Sequence, residues 1–335
     1  MGKQYYISLL LALLVASLIP VYWYYSYQEV ATDFNYTETV YNFENVEGAI
    51  QPIPRSMTID KNWLFLGKAL FHSPLLSSDN TVSCASCHMV DFGGDDGFPV
   101  STGVNNAKGN RNSPTVLNST FNFRQFWDGR AGTLSEQASG PIHNPVEMAS
   151  SWAEIIPKLN NDTYFNTAFN KVSSEGVTPE NVIRAITIYE ESLITPNSAI
   201  DRYLLGDADA ISTQQKRGLK LFVDYGCSTC HQGRNIGGNI YQKLGRVNDI
   251  PAILSDDRGL FEVTQNEKDK YIFKVPTLRN IAETAPYFHN GSVETLPEAI
   301  RIMAKSQLAR ELSDSEVDDI AELLKSFSSK MIEVE

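Results

Sequence analysis

Cys84-Ala85-Ser86-Cys87-His88 and Cys227-Ser228-Thr229-Cys230-His231 decide the reading of this 335-residue chain. Each stretch is C-x-x-C-H, the attachment signature of a c-type haem. Two thiols three residues apart bond the vinyl groups, and the adjacent His ligates the iron from one side. All four cysteines of the chain fall in these two stretches. The pairs could instead give four thiolates to zinc. The His that follows each pair, and the exported compartment argued below, favour haem. With 4 Cys and 5 His, two such motifs would arise by chance in roughly one chain in a million. Two covalently bound haem c groups are expected, on Cys84, Cys87 and His88 and on Cys227, Cys230 and His231.

Each motif is preceded by the same short pattern, G-x-x-L-F: Gly67-Lys68-Ala69-Leu70-Phe71 before the first and Gly218-Leu219-Lys220-Leu221-Phe222 before the second. The repeat suggests two similar domains. Thr178-Pro179-Glu180 reads as an N-cap with Pro at the first helical position, followed by Val182, Ile183, Ile186 and Tyr189 at helical spacing. Ser313-Asp314-Ser315-Glu316 has the capping-box pattern. Val317, Ile320, Leu323, Leu324 and Phe327 supply that helix's apolar face. No long alternating pattern marks a strand, so the fold class is mainly α. Between His88 and Asn112 lie glycines 93, 94, 97, 103 and 109, which predict a mobile loop beside the first iron.

The formal charge is −12 and no Lys/Arg-rich block occurs, which argues against nucleic-acid binding. Residues 5–25 carry no charge and run from Tyr5 to Tyr25 with aromatics at Tyr22, Trp23, Tyr24 and Tyr25. About 20 apolar residues cross a bilayer, and the aromatic cluster suits an interfacial belt. A cleaved signal peptide is the competing reading, but no A-x-A site ends the run. Both readings export the rest, with 27 of the 28 basic and all 40 acidic residues, a charge of −13. Residues 26–55 read as a tether, 56–205 as the first haem domain and 206–335 as the second.

Further stretches extend the pattern: Pro114-Thr115-Val116-Leu117-Asn118, Phe126-Trp127-Asp128-Gly129-Arg130-Ala131, Gly140 to Met148, Val275 to Asn280, and Pro286-Tyr287-Phe288-His289-Asn290-Gly291. Together with the two haem motifs, over about residues 60–330, they resemble the bacterial di-haem cytochrome c peroxidases, a family that includes the MauG-type oxidases of protein side chains. The resemblance implies two all-α cytochrome c-like domains, a peroxide-reactive haem in the first and an electron-transfer haem in the second. It makes His88 and His231 the proximal ligands and places Met303 as the distal ligand of the second iron. Glu147 and Gln137 match the distal pocket of the first haem, where a carboxylate can shuttle a proton and an amide can hold the peroxide. Trp127 matches the residue between the haems. Asn112, with the carbonyls of Thr284 and Pro286, matches a calcium site. The implied partners are hydrogen peroxide, a small cytochrome c or copper protein as electron donor, and a second copy in a homodimer. The implied location is periplasmic, anchored to the inner membrane through residues 5–25.

One position departs from the peroxidases that need reduction before they work. Their loop after the first motif carries a His that caps the first iron; here that position is Val104, and no His occurs between 89 and 142. An isopropyl group cannot ligate iron. His143 and Met89 are the remaining nearby donors, neither at the family's ligand position. The expectation is a first haem open at rest and a peroxidase working without reductive activation. Two other functions compete: a MauG-like oxidase of protein side chains, and an electron-transfer cytochrome, against which Glu147 and Gln137 speak.

Overall fold

The computed structural model describes residues 48–331; the segment 5–25 and most of the expected tether lie outside the described residues. No helix among the described residues is long and apolar enough to cross a membrane. The protein is mainly helical. In chain order the helices are α1 (Lys61–His72), α2 (Cys84–Cys87), α3 (Leu134–His143), α4 (Trp152–Asn161), α5 (Thr163–Val172), α6 (Pro179–Ser192), α7 (Ala199–Leu204), α8 (Thr213–Asp224), α9 (Phe261–Thr264), α10 (Leu296–Leu308) and α11 (Asp314–Lys325). Short 3-10 turns fill many of the connections. The capping signals act as read: Thr178 Oγ1 accepts from Asn181 N at the start of α6, and Ser313 and Glu316 close a reciprocal box on α11. The one sheet among the described residues, unforeseen in the sequence, pairs β1 (Tyr241–Lys243) antiparallel to β2 (Ile272–Lys274), with Tyr241 opposite Lys274.

Two helix pairs organise the molecule, α1 on α6 and α8 on α11. The glycines of G-x-x-L-F explain how closely they pack. A Cβ on Gly67 would stand 1.9 Å from the Ala185 carbonyl oxygen, and one on Gly218 would stand 2.0 Å from that of Asp319. Only glycine lets either helix lie that near its partner's backbone. Around the first pair, Leu70, Phe71, Ile155, Phe169 and Ile186 form one core; around the second, Ile200, Phe222, Leu323 and Phe327 form another. The second core also takes Ile50, which pairs with Gly233. The end of the segment expected as tether is thus folded into the body, because its isoleucines have an apolar seat there.

Matching asparagines close the two halves. Asn118 and Asn280 both adopt the left-handed conformation, at φ 61° and 58°. Their N–H groups donate to the carbonyls closing α6 and α11, Leu193 at 2.7 Å and Phe327 at 3.4 Å. Thr195 stands between them: its hydroxyl oxygen accepts from Asn118 Nδ2 at 2.8 Å and from Asn280 Nδ2 at 2.9 Å. All three residues are buried. Nearby, buried Arg279 is fully engaged, pairing with Asp201 at 2.7 Å and donating to Ser198 Oγ and the Arg234 and Gln51 carbonyls. A buried guanidinium is tolerable only when paired and saturated in this way.

Candidate functional site

Each C-x-x-C-H presents its histidine in the same manner. His88 Nδ1 lies 3.3 Å from the Gly94 carbonyl and 3.3 Å from Ser113 Oγ; His231 Nδ1 lies 3.3 Å from the Ile236 carbonyl. A backbone acceptor fixes the proton on Nδ1 and leaves Nε2 for a metal. Burial holds both imidazoles neutral, pushing His88 down and His231 down to about 4. Neutral imidazole is the form that ligates. The residues fit a covalently attached haem at each motif.

The second motif opens on a cavity lined by Cys227, Cys230, His231, Met303, Trp127 and Lys274, with apolar walls from α8, α10 and α11. Met303, on α10, lines this cavity together with His231. Trp127 reaches the same cavity from the first half: its indole Nε1 donates to the Asn112 carbonyl at 2.9 Å, and its ring meets His289 edge-on at 6.3 Å. Asn112, Thr284 and Pro286 line this wall too. The Asn112 amide donates to the Phe98 carbonyl, which turns its amide oxygen away from that bond. No cluster of three or more His, Cys, Asp or Glu side chains suited to a metal occurs among the described residues. A calcium ion here would rest on amide and backbone oxygens, which are ligands of the right hardness.

Around the first motif the loop expected to be mobile is tied down. Val104 N donates to the Glu147 carbonyl at 2.8 Å, and Gly103 is so close that a Cβ would lie 2.2 Å from the Val146 carbonyl oxygen. The glycines serve this close approach. Val104 is buried, in the core cluster that Cys84 and Ala85 adjoin. Half-buried Glu147 accepts from Asn144 Nδ2 at 2.6 Å through Oε1. Burial raises its pKa, while the Asn144 hydrogen bond and the Arg130 charge oppose the rise. Its charge is felt at both Cys84 and Cys87, which places it beside the attachment site. His143 is exposed, with Nδ1 3.1 Å from the Ser150 carbonyl and its ring edge-on to Trp152. Met89 is also exposed.

Gln137 gains its place from the repeat. The bridges Gln125–Ala131 and Tyr287–Val293 correspond, as do the caps Thr133 of α3 and Thr295 of α10. In that register Gln137 matches Ala299 and Pro141 matches Met303. Ala299 and Met303 line the second cavity, so the equivalent turn of the first half offers an amide and a proline, and no sulfur. The same logic on the other helix pair matches Glu190 to Leu324, because Gly67 abuts Ala185 and Tyr189 where Gly218 abuts Asp319 and Leu323. Pro141, Glu190 and Lys274 escaped the sequence reading. The G-x-x-L-F pattern would have aligned the halves, but Pro141 and Glu190 emerge only when the helices that follow are paired as well.

Residues 61–209 match the family model described as di-haem cytochrome c peroxidase, and residues 215–328 match that of cytochrome c. The cytochrome c551 peroxidase of Pseudomonas aeruginosa is 43% identical over 303 residues, covering 87% of this chain and 88% of that protein. The cytochrome c peroxidase Ccp of Escherichia coli is 48% identical over 282 residues, 83% of this chain; the match spans 61% of that longer protein. Among solved structures, a MauG-like protein associated with microbial copper homeostasis superposes with a TM-score of 0.74 at 27% identity, over 88% of this chain and 96% of that one.

Proposed function

Because this chain belongs to the di-haem cytochrome c peroxidase family, we propose that it is an exported peroxidase. It reduces hydrogen peroxide to two waters with two protons and two electrons from a small cytochrome c or copper protein. The observation that carries the reading is Glu147, a half-buried carboxyl beside the first haem motif, with a valine where a capping His would stand.

When bound, the two haems supply the iron redox chemistry that cleaves the O–O bond and stores electrons. The chain's residues do the rest. Asn144 occupies Glu147 Oε1, so Oε2 is free to take a proton from one peroxide oxygen and return it to the other. Burial, which raises the Glu147 pKa, works in the direction that a proton-exchanging carboxyl needs. Gln137 would hold the substrate by its amide. His88 would ligate the first iron, and Val104 would offer it no further ligand. His231 and Met303 would hold the second iron, where thioether ligation raises the potential as an electron-accepting site requires. Trp127 couples the cavities. Asn112 with the Thr284 and Pro286 carbonyls would bind one calcium. We place the body in the periplasm on an inner-membrane anchor at residues 5–25, as a homodimer.

Steady-state peroxide consumption with a reduced cytochrome c or copper protein tests the proposal. A MauG-like reading gains from Val104, since an open first haem suits both chemistries. It is the answer if the first haem reacts with peroxide but no soluble carrier supports turnover.

A further inference from the structure

Lys274 lines the second cavity, and the proposed reaction makes no use of its charge. It closes β2 with 6% of its surface exposed. Its ammonium makes no hydrogen bond and no ion pair among the described residues. The neighbouring cations differ: Arg111 is bound by Asp128 and by both oxygens of Asp257, and Arg279 by Asp201. Burial alone lowers the Lys274 pKa, to about 8, with no opposing anion. An ammonium taken out of water without a partner is costly, so a residue held here implies an anion that the polypeptide itself does not provide.

The backbone ties Lys274 to the wall of the second cavity. Lys274 N donates to the Trp127 carbonyl at 2.9 Å, and its repeat counterpart Asn112 donates to the His289 carbonyl at 2.8 Å. Lys274 is thereby locked to the inter-haem tryptophan while lining the cavity that holds Cys227, Cys230, His231 and Met303. The group that C-x-x-C-H attaches in this cavity carries two propionate carboxylates.

We propose that the Lys274 ammonium binds a propionate carboxylate of the second haem and raises that haem's potential. The inference rests on the reading that the His231 cavity holds a haem. A fixed positive charge favours the reduced haem, whose net charge is one unit more negative, so the lysine and the Met303 thioether act in the same direction. The first half has Asn112 at the equivalent place and gains no such charge.

The test uses the full-length holoprotein with Lys274→Met and Lys274→Arg. Mass and the pyridine haemochrome spectrum count the haems, spectroelectrochemical titration gives each potential, and resonance Raman reports the propionate bending modes. With two haems in place, Lys274→Met should shift the second haem's potential downward and move one propionate mode, leaving the first haem's potential nearly unmoved. Lys274→Arg should restore both readouts. If Lys274→Met attaches haem poorly, Lys274→Gln, neutral and similar in length, is read the same way. An unchanged second potential and unchanged propionate modes in a two-haem variant overturn the role of Lys274 alone. A wild-type protein with no haem at Cys227 and Cys230 overturns the underlying reading, and the proposal with it.

Discussion

The two halves use one scaffold and differ at a few equivalent positions, which in the second half line its cavity. In both, a glycine lets two helices touch, a C-x-x-C-H follows, the Thr of a Pro-Thr pair donates its hydroxyl to the carbonyl just before the histidine's acceptor, and an Asn in the left-handed conformation closes the unit. Against that constant frame, the first half has Gln137, Pro141 and Glu190 where the second has Ala299, Met303 and Leu324. It also has Asn112 where the second has Lys274. The first half is given groups that handle protons and is denied a sulfur ligand. The second is given a sulfur, hydrocarbon and one buried cation. Under the proposed function, haem attachment belongs to the frame and the division of labour to these side chains.

The largest expected effect comes from removing the first half's proton carrier. Glu147→Gln keeps the Asn144 contact and the shape but cannot exchange a proton. Both haems should remain attached with near-native spectra, while peroxide turnover falls by ~10²–10⁴. Unchanged turnover would take Glu147 out of the mechanism and leave the halves chemically closer than proposed.

A second change removes the openness of the first half. The oxidised wild type should show one high-spin and one low-spin haem and react with peroxide without prior reduction. Val104→His supplies a ligand on a segment already bonded to the Glu147 carbonyl. It should give two low-spin haems at rest, with peroxide reactivity appearing only after one electron is added. Magnetic circular dichroism and stopped-flow mixing decide this; two low-spin haems in the wild type would sink the idea.

The frame was readable because its signals are local. C-x-x-C-H, the cap at Thr178 and the box at Ser313 are each complete within five residues, and the two caps act as read. Gly67 and Gly218 were visible as a pattern, but their reason, a carbonyl about 100 residues away, is tertiary. Glu147, Gln137 and Met303 were reachable only through the family resemblance, since a lone carboxylate, amide or thioether has no local signature. Lys274 was hidden because Tyr-Ile-Phe-Lys-Val places a charge in an apolar run without saying which way it points. The three-residue strands β1 and β2 are too short for an alternating pattern to show.

The seam between the halves offers a smaller effect. Thr195→Val keeps the shape and deletes the hydroxyl that accepts from both Asn118 and Asn280. Two buried amides lose an acceptor, at a cost of about 1–3 kcal/mol each when left unsatisfied. Denaturant unfolding should show a loss on the order of 2–6 kcal/mol, with Thr195→Ser close to wild type. A Val variant as stable as wild type would mean that the seam is held by packing alone.

The smallest and most selective effect concerns Glu190, which the second half replaces with Leu324. Burial pushes the Glu190 carboxyl up to about 8, with Glu191 adding to the rise. Its Oε2 is buried without a hydrogen-bond partner. Between the ordinary carboxylate range and pH 8 the folded protein therefore keeps a proton that the unfolded chain has lost. Stability must fall as pH rises through that window, because the native state binds more protons than the unfolded one. Glu190→Gln, similar in shape and without charge, removes this contribution. The stability difference between wild type and variant should then move steadily in the variant's favour from pH 5 to pH 8, by ~1–2 kcal/mol over the last two units. It should flatten above pH 8, where both states are ionised. Glu190→Leu, the residue of the other half, should show the same pH dependence with a further gain from filling the site with hydrocarbon. A wild-type minus Glu190→Gln difference that is flat from pH 5 to pH 9 would mean that Glu190 finds a partner when both haems are attached. The carboxyl would then be part of the first haem's binding site instead of a free buried acid.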